Sequence, residues 1–234
     1  MKLHTGNLYW PSHTEAISLE IKNNITENSD VLVVGSGMSG ALAAYELAKN
    51  GYKVTLIEQN RIASGSTSAN TGLIQYMSDQ GVKSFTDQIG SQKAIKFYNQ
   101  SKEAVADLIK IDEEIVKLNQ ETFKQSDSLI LATDKKKIKD VKAETETQKE
   151  IGYDVSYLDN EELKEHNINA YGGLKCGPDI NLNPYAFVLR LLKTASGKYD
   201  LEIVEGAKFI KAHKENNQNI VTLEIAGNKI KTSF

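Results

Sequence analysis

The sequence predicts an α/β protein built around a parallel sheet. Asp30 to Val34 (DVLVV) is a short apolar, β-branched run of the kind found in strands buried on both faces. A helical stretch from about Ser39 to Asn50 follows a glycine-rich turn, and Lys53 to Glu58 (KVTLIE) reads as a second strand. Strand, helix and strand in about 29 residues make a βαβ unit, whose crossover is expected to be right-handed.

The other elements follow from local pattern. Residues 1–29 are polar apart from Leu8, Tyr9, Trp10 and Pro11, an apolar knot expected to dock on the body. In the first helix Gly40, Ala44 and Leu47 share one face, and Gly51 stands where a C-terminal stop belongs. Residues 61–72, rich in Ser, Thr, Asn, Ala and Gly, read as a loop. A long amphipathic helix is expected from about Gln92 to Leu118, where Ala94, Phe97, Tyr98, Val105, Leu108, Ile109, Ile115 and Leu118 recur at helical spacing. Ser128 to Thr133 reads as a strand, and Lys135 to Glu150 as an exposed helix whose Lys135, Lys136, Lys137 and Lys139 form a solvated face. Val155 to Leu158 reads as a strand, followed by a short helix capped at Asp159 or Asn160 with Glu162 nearby. Pro184 to Ala195 has Asn183 as cap, Pro184 at the first helical position, Phe187, Val188, Leu191 and Leu192 as buried stripe, and Gly197 as stop. The last stretch alternates as four strands, Leu201 to Val204, Ala207 to Ala212, Ile220 to Ile225 and Lys229 to Phe234.

Composition narrows the function classes. The 234 residues suffice for one large domain or two small ones with a sizeable core. At 40% hydrophobic and 25% charged the chain has an ordinary globular balance, not a disordered one. Net charge is −3, and of the 28 cationic residues only Arg61 and Arg190 are arginines, which argues against nucleic-acid binding. The single Cys176 excludes an internal disulfide and a thiolate metal cluster, and reads as a small buried residue. His4, His13, His166 and His213 lack zinc-ligand spacing, so no metal is expected. No apolar stretch approaches the roughly 20 residues of a membrane helix, and the first residues do not resemble a signal peptide. The expected location is cytoplasmic.

Gly35-Ser36-Gly37-Met38-Ser39-Gly40 is G-x-G-x-x-G, set between a strand and a helix. Gly35 permits a sharp turn, Gly37 leaves a pyrophosphate room to approach the backbone, and Gly40 permits close helix–strand packing. The helix N-terminus suits a diphosphate. Glu58 ends the second strand, where a carboxylate accepts from ribose hydroxyls and repels a 2′-phosphate. A P-loop is excluded because Ala41 and Leu42 follow Gly40, and no G-x-S-x-G elbow occurs. Spacing alone leaves flavin and nicotinamide dinucleotides both open.

The stretch from Asp30 to Glu58 resembles the FAD-binding form of this fingerprint at Gly35, Gly37, Gly40, Ala44, Leu47, Gly51, Val54 and Glu58. Residues 61–72 resemble the loop after that glutamate in the D-amino acid oxidase-like (DAO) family of FAD-dependent oxidoreductases, which includes glycine and sarcosine oxidases and D-amino acid dehydrogenases. Gly172-Gly173-Leu174 and Asp179 to Pro184 are similar to the family's segment leading into the helix that returns to the FAD domain. The strand at Ala207, Lys208 and Phe209 is similar to the one whose backbone meets the adenine. The resemblance covers nearly the whole chain, tightly at residues 30–72 and loosely at 76–170.

It implies a Rossmann-type FAD domain from residues 1–75 and 183–234, with an inserted mixed α+β substrate domain at 76–182. Expected FAD contacts are Gly35, Ser36, Gly37, Met38, Ser39, Gly40, Glu58 and Gln59, with Ser66, Thr67 and Ser68 toward the pyrophosphate and ribityl chain. Asn70, Thr71, Gly72 and Leu73 are expected beneath the isoalloxazine, and Phe209 near the adenine. Arg61 is open between a place by the adenine or ribose and a plain surface role. The implied reaction is oxidation of the Cα–N bond of an amino acid or secondary amine by hydride transfer to flavin. The partner is a small amine or amino-acid substrate, with the electron acceptor unspecified and a homo-oligomer compatible. The sequence stops before an A-T-G-like turn of the family has a counterpart, so the chain is expected to be C-terminally incomplete. On that reading no catalytic residue is assigned, and the chain alone is expected to bind FAD weakly or not at all. The alternatives are an NAD-dependent dehydrogenase, for which no catalytic acid–base group is obvious, and a non-catalytic dinucleotide-binding fragment.

Overall fold

The computed structural model of the chain describes residues 6–25, 29–215 and 218–233. His4 and Phe234 lie outside the described residues. In chain order the elements begin α1 (Tyr9–Ser12), β1 (Val31–Val34), α2 (Met38–Lys49), β2 (Val54–Glu58), β3 (Leu73–Ile74), α3 (Gly81–Ile89), α4 (Ser91–Glu114) and β4 (Phe123–Leu131). They continue α5 (Ile138–Glu150), β5 (Ser156–Leu158), α6 (Asn160–Glu165), β6 (Gly173–Leu182), α7 (Pro184–Lys198), β7 (Leu201–Glu205), β8 (Ala207–Glu215), β9 (Gln218–Ile225) and β10 (Asn228–Ser233). Contacts divide the chain into two units, Met1–Gly72 with Glu114–Thr122 and Asn183–Phe234, and Leu73–Glu113 with Phe123–Leu182.

The first unit holds a parallel sheet in the order β1-β2-β7, with Val31 opposite Val54 and Val54 opposite Leu201. Val54, Leu56, Ile57, Ile203 and Val204 are buried, because β2 is central and covered. β1 departs from expectation. It pairs only β2 among the described residues, so Val31 to Val33 are half-buried and Val34 is 53% exposed rather than enclosed on both faces. The buried stripe of α2 is Ala41, Ala44, Tyr45 and Ala48, which packs on α7; of Gly40, Ala44 and Leu47 only Ala44 is fully buried. Gly40 turns instead toward the carbonyl of Gly35.

α7 starts as expected. The Asn183 side chain accepts from the Ala186 N–H at 3.0 Å, and Pro184 occupies the first turn. Gly197 does not end it. The helix runs to Lys198 and closes where the Tyr199 N–H meets the Ala195 carbonyl. Arg190, buried within α7, donates from Nε to the Val116 carbonyl at 2.7 Å and from a terminal nitrogen to Thr122 Oγ1 at 3.0 Å. Thr194 Oγ1 accepts from the Val116 N–H. These bonds satisfy the backbone of residues 115–122 in an irregular path, which is why α4 stops at Glu114 short of the expected Leu118.

β8, β9 and β10 form an antiparallel meander in the order β10-β9-β8. Val221, Leu223 and Ile225 on alternate positions of β9 pack with Ile57, Val204 and Ala207, and Ile230 joins them. That face is core and the opposite one is not.

In the second unit β6 pairs β4 along its length, with β3 and β5 end to end on its other edge. The helix expected at Gln92 is preceded by a separate α3, because Gly90 adopts φ +86° and breaks the run between Ile89 and Ser91. The strand expected from Ser128 begins at Phe123, its register carried across a bulge between Ser126 and Ser128. The capping box at α6 is present, with Asp159 accepting from the Glu162 N–H and Glu162 accepting from the Asp159 N–H. Cys176 is buried in β6, and burial lifts its thiol pKa to about 11.

Candidate dinucleotide site

β1 ends in Gly35, whose φ of +94° only glycine adopts without strain, and its N–H donates to the Ile57 carbonyl at 2.8 Å. The chain then turns straight into α2, with Gly37 as the helix N-cap. At Gly40 a Cβ would lie 1.9 Å from the Gly35 carbonyl oxygen, so only glycine allows the helix to start this close to the strand. At Gly37 a Cβ would meet Thr67 Oγ1 at 3.3 Å. The sharp turn at Gly35 and the close helix–strand packing at Gly40 are the ones expected of the first and third glycines of the fingerprint.

Glu58 ends β2 and turns into the same loop. Its Oε2 accepts from the Ser36 N–H at 3.0 Å and the Ser36 Oγ–H at 2.9 Å, and its Oε1 accepts from the Asn60 N–H at 2.9 Å. Ser36 is fully buried, and its Oγ also accepts from the Ala63 N–H at 3.2 Å. One side chain thereby ties the glycine turn, the end of β2 and the loop beyond it. Two carboxylate oxygens offer about four lone-pair sites, so capacity remains on Glu58 for an incoming hydroxyl.

Ser66 to Ala69 is a 3₁₀ turn rather than loop throughout. Thr67 and Ser68 are buried and Ser66 is exposed. Thr67 Oγ1 accepts from the Met38 N–H at 3.2 Å, which brings this turn to the first residue of α2. Ser68 Oγ donates to the Gly65 carbonyl, and Asn70 Oδ1 accepts from the Gly72 N–H at 2.9 Å, both holding the turn's shape. Gly72 adopts φ +75°. The structure therefore brings Gly35 to Gly40, Glu58 and Thr67 together at the start of α2. Gln59 and Arg61 are exposed and, among the described residues, make no side-chain bond to the glycine turn. Phe209 lies on β8, partly exposed, with no ring contact to the turn among the described residues.

Sequence reasoning missed two residues here. Glu205 pairs with Glu58 across the β2–β7 ladder, and its Oε1 accepts from the Ile62 N–H at 2.7 Å, anchoring the loop after β2. Its signal was a second glutamate ending a parallel strand, as Glu58 does. Trp10 donates from Nε1 to the Asn70 carbonyl at 2.7 Å, a contact across 60 residues that no local pattern announces.

A family profile described as "DAO: FAD dependent oxidoreductase" matches residues 30–232. The chain belongs to this family. Among curated proteins, the probable oxidoreductase OrdL of Haemophilus influenzae is 31% identical over 194 residues, covering 81% of this chain and 44% of OrdL. A glycine oxidase of Geobacillus kaustophilus is 36% identical over 55 residues, covering 24% of this chain and 15% of that protein. Among solved structures, L-alpha-glycerophosphate oxidase from Mycoplasma pneumoniae with FAD bound superposes with a TM-score of 0.66 at 20% identity, covering 84% of this chain and 50% of that one. Glycine oxidase from Bacillus cereus gives 0.61 at 17% identity over 88% of this chain and 55% of that one. This DAO-family chain thus spans about half the length of such relatives. FAD is the family's cofactor, and the residues present fit a dinucleotide: the side-chain atom nearest the Cβ position of Gly37 is the Thr67 hydroxyl, a polar group suited to a phosphate, and Glu58 keeps acceptor capacity. Among the described residues no group of His, Cys, Asp and Glu is placed to hold a metal, and no helix is long and apolar enough to cross a membrane.

Proposed function

We propose that this chain forms the FAD-binding part, and a portion of the substrate domain, of an enzyme that oxidises an amino acid or secondary amine at the Cα–N bond. The observation that carries the reading is the convergence of Gly37, Glu58 and Thr67 on the start of α2. In it the backbone around Gly37 and Met38 receives the pyrophosphate, Glu58 accepts from the adenosine ribose, and Ser66, Thr67 and Ser68 face the phosphates and ribityl chain. Asn70 and Gly72 border the flavin, and Phe209, with Gln59 and Arg61, lies toward the adenosine end. When bound, FAD supplies the two-electron sink for the oxidation, and water hydrolyses the imine released. Residues 1–75 and 183–234 make the cofactor domain and 76–182 the substrate domain. The compactness of Leu73–Glu113 with Phe123–Leu182 supports that division, Glu114–Thr122 packing with the cofactor side.

Amine substrates are supported by glycine oxidases, an L-proline dehydrogenase and L-amino acid deaminases among the structural relatives. A cytoplasmic location is supported by the single, buried, unpaired cysteine. The test is a titration of the purified chain with FAD and, separately, NAD, followed by flavin fluorescence and thermal shift. FAD is expected to stabilise the chain more than NAD, and Glu58→Ala to remove that difference. Preference for NAD, or FAD binding indifferent to Glu58→Ala, overturns the site.

A further inference from the structure

The meander β8-β9-β10 turns one face to the core and the other outward, and the register tells which side chains share the outward face. Lys208 and Lys229 both lie opposite Glu224; Lys211 and Lys231 both lie opposite Thr222; His213 and Ser233 lie opposite Ile220. Positions 220, 222 and 224 alternate with the core residues Val221, Leu223 and Ile225, so all three rows face away from the core. The bulge between Phe209 and Lys211 is what brings Lys211 onto the same face as Lys208.

The result is an exposed cationic surface on a chain whose net charge is −3. Four exposed lysines stand against one carboxylate, Glu224, with Glu215 near His213 at 3.5 Å on the margin. Strand spacing sets the lysines of β8 and β10 about 10 Å apart across the sheet, and Lys229 and Lys231 about 7 Å apart along it. At the centre, between Lys211 and Lys231, Thr222 is only 5% exposed and its Oγ1 has no hydrogen-bond partner. That hydroxyl is enclosed, so what the patch offers an incoming surface is its four ammonium groups.

We propose that this face docks on an anionic phospholipid surface, with Lys208, Lys211, Lys229 and Lys231 supplying the charge. Lipid suits the patch better than nucleic acid does. The face carries compact ammonium charges with no guanidinium for bidentate readout. The proposal does not depend on the FAD site.

The test is co-sedimentation of the chain with vesicles of phosphatidylcholine alone, or of phosphatidylcholine with about 30% phosphatidylglycerol, as salt is raised. Binding is expected only to the anionic vesicles and is expected to fall steeply with salt. Each Lys→Gln replacement should weaken it about fivefold, and K208Q/K211Q/K229Q/K231Q by roughly a hundredfold or more. K135Q/K136Q/K137Q, on the other exposed lysine cluster, should bind like the unchanged chain. If the quadruple variant does not fold, the pairs K208Q/K229Q and K211Q/K231Q carry the test, each at about 25-fold. Equal binding to neutral vesicles, full binding by folded lysine variants, or binding to a double-stranded DNA oligonucleotide with none to vesicles would overturn the proposal.

Discussion

Replacing Gly40 with alanine puts a methyl group where the turn leaves no room. The new Cβ lies 1.9 Å from the Gly35 carbonyl oxygen and 3.6 Å from Val33 Cγ1. Carbon and oxygen without a covalent bond approach to about 3.3–3.6 Å, so roughly 1.5 Å of displacement is required. The obstacle is backbone, and no rotamer change relieves it. Overpacking of this kind costs about 1–3 kcal/mol, and a contact this short belongs at the upper end. Alanine returns up to about 1 kcal/mol through helix propensity, leaving a net loss of about 2 kcal/mol. For a chain of this size that lowers the unfolding midpoint by about 4–8 °C. Circular dichroism through a thermal ramp measures it, with Gly37→Ala as comparison. There the nearest atom is Thr67 Oγ1 at 3.3 Å, a side-chain oxygen able to turn away, so the midpoint should move by no more than about 2 °C. A Gly40→Ala protein that melts at or above the unchanged chain refutes the argument that backbone contact, and not helix propensity, decides this position.

Ser36→Ala removes one donor to Glu58 and leaves the Ala63 N–H without its acceptor, an expected loss of about 1–3 kcal/mol in urea unfolding together with weaker FAD binding. An unchanged denaturation midpoint would show that the three segments are held by something else. Arg190→Met should cost about 2–4 kcal/mol, and Arg190→Lys should not rescue it, because one ammonium cannot reproduce a planar fork reaching Val116 and Thr122 together. Full rescue by lysine would sink that account. Native Cys176 should resist thiol reagents at pH 8 and react once the chain is unfolded, since burial holds its pKa at about 11 against a free value of 9.0. The sign for stability follows. Below about pH 9 the thiol is neutral in both states; between about 9 and 11 only the unfolded chain ionises, so stability falls by up to ~1.4 kcal/mol per pH unit. Cys176→Ala should flatten that part of the alkaline slope, and an identical slope would contradict it.

Short-range chemistry was readable without coordinates. The β-branched runs, the glycines of the turn and Glu58 at a strand end identify a βαβ unit because each residue acts within one strand-helix-strand span. The same holds for the caps at Asp159 and Asn183, which satisfy helix donors two and three residues away. Misjudged boundaries had distant causes. α4 ends early because Arg190 and Thr194, more than 70 residues on, take up the Val116 backbone. β1 is less buried than its sequence suggests because burial depends on how many neighbours a strand acquires, which a strand's own residues do not specify.

The sequence alone determined the family, the parallel α/β core and the glycine–glutamate pair that suits a dinucleotide, since sterics and charge at those positions are local. Only the tertiary structure decided that Ser36 grips Glu58 and Ala63, that Glu205 reaches back 143 residues to the Ile62 N–H, and that Lys208, Lys211, Lys229 and Lys231 share a face. Those relations depend on strand register and one bulge, where a shift of a single residue would carry the same side chains to the opposite side of the sheet.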